Sequence, residues 1–329
     1  MHCGARPVKL RFARWLPALA SLAVIVLAGG VLWREVRHVR PGAIMASFAT
    51  IPAQALVLAG LGTAVAWLAL ALYEIRMLRY LRPTTGWRRP FVTALIAYPV
   101  GHAVGFGAFS GGAIRYRLYT AAGFSAADIG KLILLSVMPY GAGVGLLAGA
   151  ALLADPATTA AALRLEPHIL LVIGIVLLLL QVLYAALVAA RVRPLGRLLP
   201  SFELPSPRLT AAQYLLGLIE VLGAIATLYV LLPPGAEIGF ATFTAVYIAA
   251  VLAGALSGVP AGLGVFESVL FLAFPQLPAE TLLGTVLAYR LVYELIPFVF
   301  GLLLLLAYEA WAPGGGSTGG RIRSTAAPP

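Results

Sequence analysis

One cysteine, four histidines and 12 acidic residues among 329 leave little material for catalytic chemistry. Cys3 closes no intrachain disulfide, and its place ahead of the first apolar run, not at its end, argues against lipoprotein processing. His2, His38, His102 and His168 are scattered without ligand spacing, so no metal and no cofactor is expected. The absence of a Gly-x-x-x-x-Gly-Lys-Ser/Thr motif speaks against a P-loop ATPase. Residues 105–111 are glycine-rich, but their spacing is wrong for a dinucleotide fingerprint. Charge is also thin, at 11% of residues, where soluble domains carry about 25%. What fills the chain instead is apolar: 61% of it, against roughly 45–50% in soluble domains. This composition excludes a soluble enzyme, a disordered linker and a disulfide scaffold, and it leaves an all-α polytopic membrane protein.

The charge that is present is lopsided, 23 Lys and Arg against 12 acids for a net +11. The basic residues lie mostly in short segments between apolar runs, where membrane orientation accounts for them, and nucleic acid is not expected as a partner.

A helix of about 20 apolar residues crosses the hydrocarbon core. Residues 16–33, 52–73, 132–153, 168–190, 211–232, 240–257 and 282–308 qualify. Two further apolar stretches, 91–113 and 258–275, are broken by glycine and proline, which gives about eight transmembrane helices with one or two re-entrant segments. The first span is too long for an ordinary signal peptide and is read as uncleaved. Arginines concentrate at the N-terminus, in 74–90 and in 191–209, which places these segments in the cytoplasm; the C-terminus is expected there too. Arg34, Arg37 and Arg40 run against that assignment. With 74–90 inside and the next span also starting inside, 91–113 has to return to the side it entered from, as a re-entrant hairpin or a pair of half-helices. Gly141, Gly145 and Gly149, four residues apart, are expected to admit a neighbouring helix. Residues 1–312 form the membrane domain, and 313–329 read as a disordered Gly/Ser/Pro tail.

The first broken stretch carries Pro99, Gly101, His102, Gly105, Gly107, Ser110, Gly111 and Gly112, then Arg115 and Arg117. Helix restarting after Ser110-Gly-Gly would aim its N-terminal amides at an anionic group. Arginines at i and i+2 do not share a helical face. Either both anchor at the headgroups, or at least one, Arg115 in preference, grips a lipid phosphate. Tyr116 and Tyr119 suit an interfacial belt under both readings. The second stretch carries Gly258, Pro260, Gly262 and Gly264, with Glu267 in the first turn of a new helix. Glu267 is either a dipole cap or, since a charge at membrane depth costs about 2.5–3.5 kcal/mol even on mild scales, a residue with a partner or cargo. Arg290 and Glu294 share a helical face and form either a self-neutralising pair or part of the same site; Glu220 is a further intramembrane charge. Irregular backbone in each half of the chain is the pattern of a transporter binding site.

The run GHAVGFGAFSGGAIRYRLY from Gly101 to Tyr119, and VPAGLGVFE from Val259 to Glu267, resemble the membrane domain of the bacterial lysylphosphatidylglycerol synthase/flippase family, the multiple peptide resistance factor. The resemblance covers most of residues 10–310. It implies a flippase-like fold in the bacterial inner membrane and a lipid cargo such as aminoacylated phosphatidylglycerol, whose transfer to the outer leaflet confers antimicrobial peptide resistance. Only a short tail follows Trp311, so the family's aminoacyl-transferase activity is not carried over and no enzyme is expected. Anionic or aminoacylated phospholipids are the expected partners; a separate synthase and a homo-oligomer stay open. Two alternatives remain: a membrane scaffold for a separate synthase or glycosyltransferase, and an intramembrane lipid-headgroup enzyme with His102 or Glu267 as base.

Overall fold

The computed structural model describes residues 48–104, 107–190 and 205–311, with Gly42 and Ala46 ahead of them. The expected first span at 16–33, the tail at 313–329 and most of the basic segment 191–209 lie outside the described residues.

The described chain is helical: α1 (Ala53–Leu81), α2 (Arg88–Val104), α3 (Gly107–Thr120), α4 (Ala126–Ala154), the short α5 (Pro156–Leu163), α6 (Pro167–Ala189), α7 (Pro207–Tyr229), α8 (Phe240–Ser257), α9 (Val265–Ala273), α10 (Ala279–Tyr289) and α11 (Ile296–Trp311). A 3-10 turn at Pro260–Gly262 precedes α9, and a π-helical turn at Arg290–Leu295 joins α10 to α11. Among the described residues six helices are long and apolar enough to cross a membrane: α1, α4, α6, α7, α8, and α10 through α11 as one run. The protein is an all-α polytopic membrane protein.

The helix starts follow from local chemistry. Ser125 caps α4, its hydroxyl accepting the Asp128 amide at 3.1 Å while the Asp128 carboxylate accepts the Ser125 amide at 3.3 Å. Pro156, Pro167 and Pro207 each stand in a first turn, where a missing N–H costs nothing.

Helix α7 forms the middle of the bundle, packed on α1 along one side and α4 along the other. Glycines decide how closely they pack: Gly143 of α4 lies on the Gly217 carbonyl, Gly217 lies on that of Pro139, and Gly62 of α1 meets Gly223 of α7. The expected Gly141 stripe is corrected here. Gly145 and Gly149 do face α6, at Gln181 and Gly174, but among the described residues nothing lies within 4 Å of a Cβ on Gly141, and Gly143 on another face makes the α7 contact.

The stretch 91–113 becomes part of a longer helical hairpin. Helices α2 and α3 pack on each other, and a Cβ on Gly111 would stand 2.9 Å from the Ala97 carbonyl of α2. Both open ends lie on one side: Arg82, just ahead of α2, donates to Gly123 O at 3.0 Å and to the Asp128 carboxylate at 2.9 Å beyond α3. Two expectations fail here. Helix resumes at Gly107, ahead of Ser110-Gly-Gly, so Ser110, Gly111 and Gly112 lie inside α3; Pro99 and Gly101 likewise lie inside α2. The segment beginning at Glu74 is not loop, because α1 continues to Leu81 and buries Glu74 completely. Gly105 lies outside the described residues, as does the side chain of Ser110.

Candidate functional site

The 258–264 break is built from backbone only glycine adopts readily: Gly258, Gly262 and Gly264 have φ of 71°, 61° and 81°. Ala261 joins them at φ 52°, without glycine's freedom. The 3-10 turn lies flush on α8, since a Cβ on Gly262 would stand 3.0 Å from the Gly254 Cα. Its other neighbour is α2 of the first broken stretch.

Between the two breaks lies a cavity of about 380 Å³. Gly101 and His102 line it from α2, Gly258 from the end of α8, Ala261 and Gly262 from the 3-10 turn, and Arg290, Tyr293 and Glu294 from the π turn. Trp67, Tyr140, Glu220 and Tyr247 complete the wall from α1, α4, α7 and α8. The His102 Nδ1 donates to Tyr98 O at 2.9 Å, and its ring meets Trp67 edge-on at 5.6 Å.

Arg290 organises one end. Its Nε donates to Glu267 Oε1 at 2.6 Å; its Nη1 donates to Glu294 Oε2 at 2.9 Å and to Ala261 O at 3.3 Å. Glu267 also accepts the Gly264 amide at 2.8 Å, so both readings of that residue hold geometrically: it caps α9 and pairs with an arginine. A second arginine-carboxylate cluster is separate from the cavity. Arg115 donates from Nε and Nη2 to both oxygens of Glu74, Tyr119 donates to Glu74 Oε1 at 2.9 Å, and the guanidinium lies 4.3 Å from the Tyr98 ring centroid.

That second cluster overturns the expected role of Arg115. The guanidinium is buried and already held by a carboxylate, so it is not placed to grip a lipid phosphate. Tyr119 is buried with it, while Tyr116 and Arg117 are exposed. Of the residues expected to contact a headgroup, the structure brings His102, Arg290 and Glu294 to the cavity, with Glu267 behind them; Arg115, Arg117, Gly111 and Gly112 are not among its lining residues.

Helix α2, the 3-10 turn and the π turn are thus one locus, although some 160 residues separate its halves. No family model matches the chain. It is 30% identical over 296 residues to the uncharacterized protein slr0712 of Synechocystis, across 89% of this chain and 91% of that protein. The chain belongs to the same family as slr0712. It is also 29% identical over 204 residues to the inner membrane protein YbhN of Escherichia coli, covering 60% of this chain and 63% of YbhN. A third relative, the phosphatidylglycerol lysyltransferase of Staphylococcus aureus, is 26% identical over 312 residues, 90% of this chain but 34% of the enzyme. The chain therefore spans about a third of the lysyltransferase and under two thirds of YbhN.

This member of the slr0712 family has site residues that sequence reasoning passed over. Tyr140, Tyr247, Tyr289 and Tyr293 belong to apolar runs and read as ordinary interior aromatics, yet Tyr289 stacks on Phe266 and Tyr293, and Tyr247 and Tyr289 share a hydroxyl hydrogen bond of 2.7 Å. Trp67 carries no signal beyond its polar edge, which donates to Tyr293 O at 3.3 Å in the π turn, where helical hydrogen bonding is displaced by one residue. Glu220 was visible as a charge within a span, and that was its only signal. Among the described residues no group of three or more His, Cys, Asp or Glu is placed to hold a metal ion.

Proposed function

We propose that the chain is a flippase-like transporter that moves a phospholipid, of the aminoacylated phosphatidylglycerol kind, between the leaflets of a bacterial inner membrane. One observation carries this reading. Trp67 is a wall both of the polar cavity and of a crevice of about 540 Å³ lined mainly by apolar residues such as Leu68, Phe91, Leu95 and Phe300. An amphipathic lipid needs both surroundings side by side, a polar recess for its headgroup and an apolar groove for its chains. The similarity to an inner membrane protein, YbhN, and to a phosphatidylglycerol lysyltransferase supports the membrane and the lipid class.

The chemistry at Arg290 suits a phosphate. Glu294 is the more exposed of its two carboxylates, at 29% against 8% for Glu267, and Glu267 is tied down by its cap on α9. An incoming phosphate diester displaces Glu294 from the guanidinium, and the freed carboxylate meets the aminoacyl ammonium. No catalytic step is assigned to the chain. The test is translocation of headgroup-labelled lysylphosphatidylglycerol in proteoliposomes: Arg290→Gln and Trp67→Ala are expected to slow it, and undiminished movement in both overturns the reading.

One observation favours a scaffold as second reading. At the open end of the hairpin, Arg82, Arg88 and Arg89 line a crevice of about 680 Å³ with Trp87, a basic surface on which a separate synthase can dock. Co-purification of such a partner, with normal leaflet distribution of lipid in a deletion strain, would select it.

A further inference from the structure

Three of the membrane-embedded carboxylates, Glu74, Glu267 and Glu294, each hold an arginine. Glu220 differs. It is 2% exposed, it lines the cavity, and among the described residues no donor stands within hydrogen-bond reach of its Oε2. The groups that face it from the surrounding helices are Tyr73 of α1, Tyr98 and His102 of α2, Tyr140 of α4, Tyr247 of α8, and Arg290, Tyr293 and Glu294 of the π turn. Arg290 is the guanidinium in that set, and two other carboxylates hold it. An isolated carboxylate in such surroundings is strongly disfavoured unless something positive compensates it. The compensating charge then has to come through the cavity.

We propose that Glu220 is a proton-binding site that couples lipid movement to the proton gradient. The inference rests on the transport reading above and supplies its driving force. With the cavity empty of lipid, the proton sits on a Glu220 oxygen. A headgroup ammonium that enters makes the carboxylate favourable: the O–H bond breaks, the proton leaves through the cavity, and a carboxylate-ammonium pair takes its place. When the lipid departs, Glu220 takes a proton back. Proton and cationic headgroup exclude each other at one carboxyl, which is the arrangement of an antiporter.

The test uses full-length protein in proteoliposomes with headgroup-labelled lysylphosphatidylglycerol and a pH-reporting dye in the lumen. In wild type, net lipid movement follows an imposed pH gradient and the lumenal pH shifts as lipid moves. Glu220→Gln loses the response to the gradient, and the lumenal pH no longer shifts as the remaining lipid exchange proceeds. Glu220→Asp keeps the response. A gradient response that persists in Glu220→Gln, or lipid movement in wild type that ignores the gradient, overturns the proposal. If wild type moves no lipid, the transport reading fails on its own, and infrared spectroscopy decides the proton site: a protonated-carboxyl band lost in Glu220→Gln supports it, and an unchanged band overturns it.

Discussion

The Glu74–Arg115 and Glu267–Arg290–Glu294 clusters are built from the same side chains and do opposite things. In the first, Arg115 is 5% exposed and Glu74 not at all; the guanidinium, both carboxylate oxygens and the Tyr119 hydroxyl satisfy one another. In the second, Arg290 is 12% exposed and Glu294 29%, and both line the cavity. The sealed cluster locks α3 onto α1, whereas the open one leaves an ion pair that a ligand can rearrange. Intramembrane charge is therefore no guide to a binding site until its access to a cavity is known.

The comparison is broken most severely from the sealed side. Glu74→Ala strands a buried guanidinium and is expected to remove about 3–5 kcal/mol of stability, read as loss of the folded protein in thermal unfolding in detergent. Arg290→Gln is expected to slow lipid movement about a hundredfold, equivalent to about 2.7 kcal/mol of barrier, while unfolding at a higher temperature than Glu74→Ala. Were the two variants equally unstable, the open cluster would be structural as well. Gly262→Ala forces a side chain into φ 61° against Gly254, and an expected loss of about 1–2 kcal/mol falls on the open cluster alone, through the Ala261 carbonyl that Arg290 holds. Trp67→Phe removes the hydrogen bond to the π turn at about 0.5–1.5 kcal/mol, with a modest change in lipid movement and none in the Arg115 cluster.

Much of the fold was legible because hydropathy and helix length are local properties. The span expected at 240–257 is α8 itself, and the expected return of 91–113 to its own side followed from where the arginines lie. Helix ends were less legible: nothing in the hydropathy of Tyr73-Glu74-Ile75 shows that the acid continues a helix, because its partner Arg115 is 41 residues away. The same reason explains the misplaced role of Arg115. A charge beside glycine-rich sequence reads as a ligand contact, and only the folded chain reveals that a carboxylate already occupies it. The pairing of Arg290 with Glu294 was visible as i, i+4 spacing, but its link to Glu267 was not. The tyrosines around Glu220 were hidden for another reason, since each comes from a different helix and no periodicity joins them.

The π turn at Arg290–Leu295 bears on how the last span is numbered around its own axis. A helical wheel advances about 100° per residue, and a π turn inserts the equivalent of one residue, so the wheel drawn from α10 mislabels the orientation of every residue in α11. Deleting a single residue between Arg290 and Leu295 would absorb the bulge and keep both faces in place, whereas winding all six residues into regular α-helix would swing one half of the run by that same angle. Gly301, which now rests on the Leu95 carbonyl and Pro99, would turn away from α2, and the apolar crevice would lose a wall. One residue of register thus sets which way the end of the bundle faces.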